Sequence, residues 1–311
     1  MKLPLLALFA ALSVPAGAQM GSPPIEVTDP GPTGRRVTDD GLIANFFPAA
    51  APGKHGAILI VGGSEGGLGS GTKRMALSLQ AAGFNVLHLT FFRAPGQSDA
   101  LQRVPLERFA SGIGWLQRQP SVDPRRIALI GGSKGAEAVL LVASRTPAIR
   151  AVVAGMPSSV VWPAFSWTSG PVAGSSWTQG GKDVPTLPYG NYTAPNLLSV
   201  YASGLAKLPN HPEAAIPIEK SRAEILLVCG DADTLWPSCP MAEQLQARDT
   251  RHVTVLDYKD AGHGVFGVPV DPAGRSYASI ASLGGTVAGT AHARIDGWPK
   301  VLAFLHKTLG R

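Results

Sequence analysis

The sequence predicts an α/β protein in which helices cover both faces of a mostly parallel sheet. Two observations carry this prediction: short, continuous apolar runs follow one another from about residue 56, and amphipathic helical stretches separate them. Strands that are buried on both faces are continuously apolar, and the helices between them make the crossovers that parallel strands need. The class is therefore doubly wound α/β.

The composition favours one large globular unit. The 311 residues are 45% hydrophobic and 15% charged, which is enough apolar material for a single generous core. The 37 glycines and 27 prolines are dispersed among apolar runs, so a loop-rich globular protein is favoured over a disordered or collagen-like chain.

The predicted elements alternate along the chain. Strands are expected at residues 57–61, 84–92, 126–130, 149–156, 223–230 and 252–258. Helices are expected at residues 72–82, 104–119, 135–146, 238–248 and 293–309. Pro105 near the start of one helix and Gly83 after the end of another agree with these bounds.

Residues 157–220 interrupt the alternation. They lack clear periodicity and contain half of the tryptophans and most of the tyrosines, namely Trp162, Trp167, Trp177, Tyr189, Tyr192 and Tyr201. So long a segment inside a compact domain usually has a functional reason. We expect a cap-like insertion whose aromatic side chains form apolar pocket walls; the alternative is that they only bury the insertion against the sheet.

The first residues, MKLPLLALFAALSVPAGAQM, have the layout of a cleavable secretory signal. Lys2 precedes an apolar stretch that ends in small residues around Ala18. We therefore expect a signal peptide at 1–18, an N-terminal segment at 19–55 and the main domain at 56–311, in a secreted or periplasmic protein. No later stretch approaches the roughly 20 apolar residues of a membrane span, so no stable membrane span is expected.

The net charge and its distribution bear on whether the protein binds nucleic acid. The formal charge is +6, or +5 once Lys2 leaves with the signal, and the basic residues are scattered, so nucleic-acid binding is disfavoured.

Cys229 and Cys239 are the only cysteines, and they form either a small disulfide loop or two separate buried thiols. No CxxC or HxxxH spacing accompanies them, so no metal is expected.

Residues 131–135 read GGSKG, which fits G-x-S-x-G between a predicted strand and a predicted helix. That is the context of a nucleophile elbow, where a tight turn strains the backbone of Ser133 and exposes its hydroxyl above the sheet. The helix N-terminus behind it favours developing negative charge. An ordinary strand-to-helix turn could carry the same letters, so the interpretation depends on partner residues.

The partners occur in the required order. A serine hydroxyl needs a histidine to take its proton and a carboxylate to hold that histidine, and in this fold the chain order is Ser, Asp, His. Asp231 and Asp233 both follow strand 223–230, and the G-x-x-D spacing favours Asp233, with Asp231 as the fallback. His263 lies after strand 252–258, a position that no other histidine matches. We predict the triad Ser133, Asp233 and His263 on an α/β-hydrolase fold.

The transition state of acyl transfer also needs donors for an oxyanion. One expected donor is the backbone N–H of Lys134, and the other is that of Ser64 or Glu65 in GGSEGG. A loop-exposed pairing with Glu137 would explain the Lys134 side chain.

A nucleotide site is excluded by residue order. GLGSGTK resembles a phosphate loop, but Thr72 precedes Lys73 where the motif needs lysine first. No G-x-G-x-x-G stretch with the required strand and downstream acid is present either, so no cofactor is expected.

These residues resemble the C-terminal α/β-hydrolase domain of the family of acyl-CoA thioesterases and bile acid-CoA:amino acid N-acyltransferases. The resemblance runs from about Ala57 to the C-terminus and is most specific in GGSKGAE, IPIEKSRAEILLVCGDADTLWPS, AGH and AHARIDGWPKVLAFLHKTLG. It implies the same triad of Ser133, Asp233 and His263. Family members that transfer acyl groups to amino acids carry cysteine as nucleophile, so serine here implies hydrolysis.

Two departures from the family bear on the substrate. The animal enzymes have an additional N-terminal β-sandwich domain, whereas a short segment precedes the hydrolase fold here, and an exported protein would meet little coenzyme A. We expect a serine hydrolase that cleaves acyl thioester or carboxylic ester bonds of a small-molecule substrate through an acyl-enzyme. The alternatives are an acyltransferase to an amine or alcohol, and an inert secreted binding protein on the same fold.

Overall fold

The computed structural model describes residues 22–193, 195–270 and 280–310. The predicted signal peptide, with its cleavage near Ala18, lies outside the described residues. No helix within the described ranges combines the length and the apolar character that crossing a bilayer requires.

The chain forms fourteen described strands and six described α-helices. The strands are β1 (Arg35–Val37), β2 (Ala44–Phe47), β3 (His55–Val61), β4 (Asn85–Leu89), β5 (Ala100–Leu101), β6 (Val104–Pro105), β7 (Val122–Gly132), β8 (Ile149–Gly155), β9 (Pro163–Ser166), β10 (Gly170–Ser175), β11 (Trp177–Gln179), β12 (Lys182–Asp183), β13 (Glu224–Gly230) and β14 (Val253–Tyr258). The helices are α1 (Ser70–Ala81), α2 (Glu107–Gln117), α3 (Lys134–Ala143), α4 (Leu198–Leu205), α5 (Ser238–Arg248) and α6 (Val287–Leu309).

Eight strands make one sheet in the order β1-β2-β4-β3-β7-β8-β13-β14. The six strands from β4 to β14 run parallel. At one edge β2 pairs antiparallel with β4, and β1 pairs antiparallel with β2. All six predicted strands lie in this sheet, in the doubly wound arrangement that their apolar runs indicate. The sheet also extends into the segment before residue 56, through β1 and β2.

The two faces of the sheet are covered by different helices, and β3 shows why its sequence is apolar throughout. Its residues Ala57, Leu59 and Val61 pack into the core on one side, with α2, α3 and α5. Ile58 and Ile60 pack into the core on the other side, with α1 and α6. Successive side chains of a strand point to opposite faces, so a strand between two helical layers has no polar face.

Two helix starts differ from the predicted ones by three residues or more, whereas the starts of α1, α3 and α5 lie within two residues of the prediction. Helix α2 begins at Glu107 and not at 104, because Val104 and Pro105 pair in parallel with β11 instead. Helix α6 begins at Val287, six residues before the predicted start, and continues through Pro299.

The predicted insertion at 157–220 is built from short pieces. Strands β9 and β10 form a hairpin that pairs with β5, and β11 and β12 form a second hairpin that pairs with β6. Trp162 and Trp177 have no exposed surface. The Trp177 ring packs against Phe91 and Phe109 of the main domain. The Trp162 ring packs against Tyr189 and Tyr201 within the insertion. Both rings therefore belong to the packed interior.

Cys229 and Cys239 are joined by a disulfide, which is one of the two pairings left open by the sequence. Cys229 lies at the end of β13 and Cys239 in the first turn of α5. Closing a loop of this size restricts the unfolded chain and contributes roughly 2–3 kcal/mol to stability. The closed loop contains both Asp231 and Asp233.

His88 is a buried histidine on β4 with no exposed surface, opposite Asn45 of β2. Within the described ranges neither of its ring nitrogens has a hydrogen-bond partner. Burial, reinforced by the positive charges of Arg36 and Lys73, lowers the pKa of His88 to about 3. The native state therefore holds this imidazole neutral.

His88 should make the protein sensitive to acid. Between the ordinary histidine pKa near 6.5 and about 3, the unfolded chain binds a proton that the native chain does not, so the free energy of unfolding falls as the pH falls. His88→Leu should recover about 2–3 kcal/mol of the stability difference between pH 7.5 and pH 4.5. Urea unfolding at both pH values measures this difference. His292→Leu, at an exposed histidine, is the control, and an equal acid loss in His88→Leu and the wild type would contradict the prediction.

Candidate active site

Ser133 occupies the turn between β7 and α3. Its backbone has φ +55° and ψ −122°, a conformation that a residue with a side chain rarely adopts. Hydrogen bonds on both sides of the residue maintain this strained conformation. The Ser133 N–H donates to the carbonyl of Gly155 (2.9 Å), and the Ser133 C=O accepts from Glu137 N–H (3.1 Å). A Cβ on Gly135 would collide with the carbonyl of Gly62, so this position of α3 must be glycine.

His263 connects the serine to a carboxylate. Its Nε2 lies 3.0 Å from Ser133 Oγ, and its Nδ1 lies 2.8 Å from Asp233 Oδ2. The imidazole thus has one nitrogen for the serine hydroxyl and the other for donation to the carboxylate. All three residues are buried: Ser133 is 8% exposed, His263 is 7% exposed and Asp233 is 4% exposed. Water therefore competes little for these hydrogen bonds.

The Asp233 carboxylate is held on both oxygens. Oδ1 accepts from the backbone N–H of Leu235 (2.9 Å) and of Trp236 (3.3 Å). Oδ2 accepts from Ser238 Oγ at 2.8 Å as well as from His263. These donors stabilise the ionised carboxylate and fix its direction.

Asp231, the fallback acid, points elsewhere. It is exposed, and its Oδ1 accepts from the backbone N–H of Asp260 at 2.8 Å. The structure brings Asp233, and not Asp231, to His263. Sequence reasoning missed the supporting role of Ser238; its place at the start of α5, five residues after the acid, is the signal that could have found it.

The predicted oxyanion donors lie in two segments next to Ser133, since Lys134 follows it in the chain and Ser64 follows Gly63, which lies close to the Ser133 side chain. Lys134 is the first residue of α3, and Ser64 lies in the turn after β3. No acceptor within the described ranges takes the backbone N–H of either residue. The Glu65 carboxyl accepts from Gly63 N–H at 2.9 Å, and the backbone N–H of Glu65 itself also favours the charged form of this carboxyl. Of the two candidates in GGSEGG we keep Ser64, because the N–H of Glu65 interacts with the carboxyl of its own residue.

The Glu65 carboxyl is enclosed in this turn. Burial raises its pKa above the ordinary value, while the two backbone donors and the neighbouring His263 and Arg93 act in the opposite direction. Arg93 also holds the turn itself, since its Nη1 donates to the carbonyl of Glu65 at 2.8 Å.

Lys134 and Glu137 pair, but not on an exposed loop as the sequence suggested. Lys134 Nζ lies 2.7 Å from Glu137 Oε1, and the two side chains are 5% and 0% exposed. The insertion covers this turn of α3, which is why the exposed prediction was wrong. Burial lowers the pKa of Lys134 and raises that of Glu137, and the attraction between the two charges opposes both changes.

Apolar side chains surround the chain of hydrogen bonds. The Trp236 ring meets His263 edge-on at 5.7 Å between ring centroids. Phe266 fills the space that a side chain on Gly155 would need, and Met156 lies against Gly132. Such walls exclude water and strengthen the electrostatic interactions inside.

The described ranges contain one cluster of potential metal ligands, formed by Cys229, Cys239 and Asp257. Its two sulfurs are joined to each other, so they do not supply the thiolates that a metal would bind.

Comparison with known proteins places these features in a family. The family model described as BAAT / Acyl-CoA thioester hydrolase C terminal matches residues 104–311. Acyl-coenzyme A thioesterase 2, mitochondrial, of Mus musculus is 27% identical over 288 residues, which are 88% of this chain and 60% of that protein. Acyl-coenzyme A thioesterase 1 of Homo sapiens is 27% identical over 289 residues, 85% of this chain and 63% of that protein. The chain thus spans less than two thirds of the length of these relatives.

Solved structures share the fold. A putative dienelactone hydrolase from Klebsiella pneumoniae superposes with a TM-score of 0.54 at 13% identity, over 88% of this chain and 96% of that one. A puromycin-hydrolyzing peptidase of Mycobacterium tuberculosis gives a TM-score of 0.57 at 17% identity, over 89% of this chain and 39% of that one. At these identities the likeness concerns the fold alone, and it confirms the predicted α/β-hydrolase architecture. Since the family model covers more than half of the chain, the protein belongs to the BAAT / acyl-CoA thioester hydrolase C-terminal family.

Proposed function

We propose that the protein is a serine hydrolase that cleaves acyl thioester or carboxylic ester bonds. The observation that supports this most directly is the buried chain of hydrogen bonds from Ser133 through His263 to Asp233. Relatives named acyl-coenzyme A thioesterases support an acyl thioester as one substrate class. No step of the proposed reaction needs a metal or an organic cofactor.

Acylation begins at Ser133. As Oγ attacks the carbonyl carbon, its proton passes to His263 Nε2, and the resulting imidazolium is stabilised by Asp233. The oxygen of the tetrahedral intermediate carries a negative charge, which the N–H groups of Ser64 and Lys134 stabilise. When the intermediate collapses, the bond to the leaving sulfur or oxygen breaks, and Nε2 returns its proton to that atom. The product is a thiol or alcohol and an acyl group on Ser133.

Deacylation repeats these steps with water. His263 Nε2 takes a proton as the water oxygen attacks the acyl carbon, and the same N–H groups hold the second oxyanion. Collapse breaks the bond to Ser133 Oγ, which regains the proton, and the carboxylic acid leaves. A serine in this position supports water over an amine as the acceptor, because the family members that acylate amino acids use cysteine.

Ser133→Ala should lose turnover by at least about 10³-fold while remaining folded, because the oxyanion donors and binding alone leave only residual catalysis. Initial rates on a panel of acyl-CoAs and aryl esters of increasing chain length measure this loss. Ser144→Ala is the matched control: it removes another buried serine hydroxyl of the same helical segment, which donates to the Leu141 carbonyl.

Full activity of Ser133→Ala would contradict the mechanism. Inertness of the wild-type protein toward the whole panel would favour an inert binding protein instead. The same panel compares thioesters with esters, so it also decides which of the two bonds is the better substrate.

Asp233→Asn should reduce turnover far more than Asp231→Asn, since only Asp233 holds the His263 ring in the tautomer that accepts the serine proton. We expect a loss of roughly 10³- to 10⁴-fold for Asp233→Asn and a change within about threefold for Asp231→Asn. The turnover number of each purified variant on one good substrate is the measurement. A larger loss in Asp231→Asn would show that the acid is assigned to the wrong residue.

We further propose export with removal of residues 1–18. The Cys229–Cys239 disulfide supports this, because disulfides persist in oxidising compartments. Intact mass and N-terminal sequencing of the protein from the native host should find a mature chain that begins at Gln19 in the secreted or periplasmic fraction. An unprocessed chain in the cytosol would contradict export without affecting the proposed chemistry.

A further inference from the structure

Two tryptophans of the insertion donate their indole N–H to the two segments that carry the proposed oxyanion donors. Trp167 Nε1 donates to the carbonyl of Ser64 at 2.6 Å. Trp177 Nε1 donates to Glu137 Oε1, also at 2.6 Å, and the same oxygen accepts from Lys134. Each donor residue is therefore connected to the insertion by one indole.

On the Ser64 side, the bonds control the orientation of peptide planes. The carbonyl of Gly63 accepts from Gly66 N–H at 3.3 Å, and in a trans peptide this directs the Ser64 N–H to the opposite side. Trp167 fixes the following plane through the Ser64 carbonyl. With the planes on both sides of the Ser64 α-carbon held, the direction of its N–H is fixed as well.

On the Lys134 side, Glu137 makes the corresponding bonds. Its backbone N–H donates to the Ser133 carbonyl. This bond fixes the Ser133–Lys134 peptide plane, which also contains the Lys134 N–H. Its side-chain oxygen Oε1 collects Lys134 Nζ, Trp177 Nε1 and, at 3.3 Å, the backbone N–H of Trp162. One carboxylate oxygen thus ties the first turn of α3 to two points of the insertion.

Stability alone does not account for this arrangement. A buried ion pair is often no more stabilising than well-packed apolar side chains of the same volume. Glu137 has no exposed surface, and no partner within the described ranges binds its second oxygen. Burying the Glu137 carboxylate costs free energy of desolvation. Its location one turn after Ser133 instead suggests that its hydrogen bonds serve to position the start of α3.

We propose that Trp167 and Trp177 are positioning residues for the oxyanion hole. By this proposal the insertion is a structural part of the catalytic machinery: its two indoles set the direction of the Ser64 and Lys134 N–H groups before substrate binds. The inference rests on the proposed serine hydrolase function. It makes catalytic rate, more than substrate affinity, depend on how the insertion docks.

The test removes each indole N–H and keeps an aromatic ring. Trp167→Phe and Trp177→Phe should each lower kcat roughly 10- to 100-fold, because a misplaced donor loses most of its effect on the transition state. KM should stay within about twofold. A boronic acid of the substrate's acyl group, which forms a tetrahedral adduct on Ser133, should bind more weakly by the same factor as the loss in kcat/KM, while the carboxylate product should bind as before.

Trp115→Phe is the matched control. Its indole N–H also donates to a carboxylate, Asp39 Oδ2 at 2.9 Å, but it lies on α2, outside the proposed site. It should change the unfolding temperature without changing kcat or boronic acid affinity.

Two results would overturn the inference: wild-type kcat in both variants, or variants that lose stability as Trp115→Phe does with unchanged boronic acid affinity. If the variant at the fully buried Trp177 does not fold, Trp167→Phe in the turn between β9 and β10 still tests the inference, because Trp167 is only partly buried. Failure of the proposed function is distinguishable, since turnover by Ser133→Ala contradicts the function while normal kcat in Trp167→Phe contradicts only the positioning role.

Discussion

The strained backbone of Ser133 is the constraint on which the other features depend. A φ of +55° on a residue with a side chain is costly, and it persists only because the surrounding bonds and close packing leave no other conformation. Gly135 lies against Gly62 at the end of β3, so the turn after β7 is pressed onto the neighbouring strand. The turn of Gly63 and Ser64, which follows Gly62, also lies next to Ser133. The contact that holds the strained serine therefore also sets the position of the proposed oxyanion donor Ser64.

The site joins rigid scaffold to irregular loops. Parallel strands β7, β13 and β14 end at the same edge of the sheet, so the loops after them converge although the residues are far apart in sequence. Bonds within each loop then set the direction of the side chains. Asp233 shows this most clearly, since two backbone N–H groups and the Ser238 hydroxyl donate to its carboxylate in addition to His263.

The parallel strands and the meeting of Ser133, Asp233 and His263 could be predicted, because apolar period and chain order are local signals. Strands β1 and β2 could not, since three- and four-residue runs give too little pattern to separate them from loop. The burial of Lys134 and Glu137 also escaped prediction. Two charged residues at the start of a helix are typical of a solvated surface, and only the tertiary contact with Trp177 reverses that. Trp177 belongs to an insertion without periodicity, so the sequence around Lys134 and Glu137 does not indicate that it contacts them.

The disulfide has a consequence for how this family member can vary. With Cys229 and Cys239 bonded, the ends of the segment that carries Asp233 are fixed at a Cα separation of 5.1 Å. An insertion or deletion between them must still return the chain to the same two points and keep the donors of Leu235 and Trp236 in place. Surface loops normally tolerate changes of length, but this one does not have that freedom. Changes of length are therefore easier to accommodate in the insertion at 157–220 than in the disulfide-closed loop that carries Asp233.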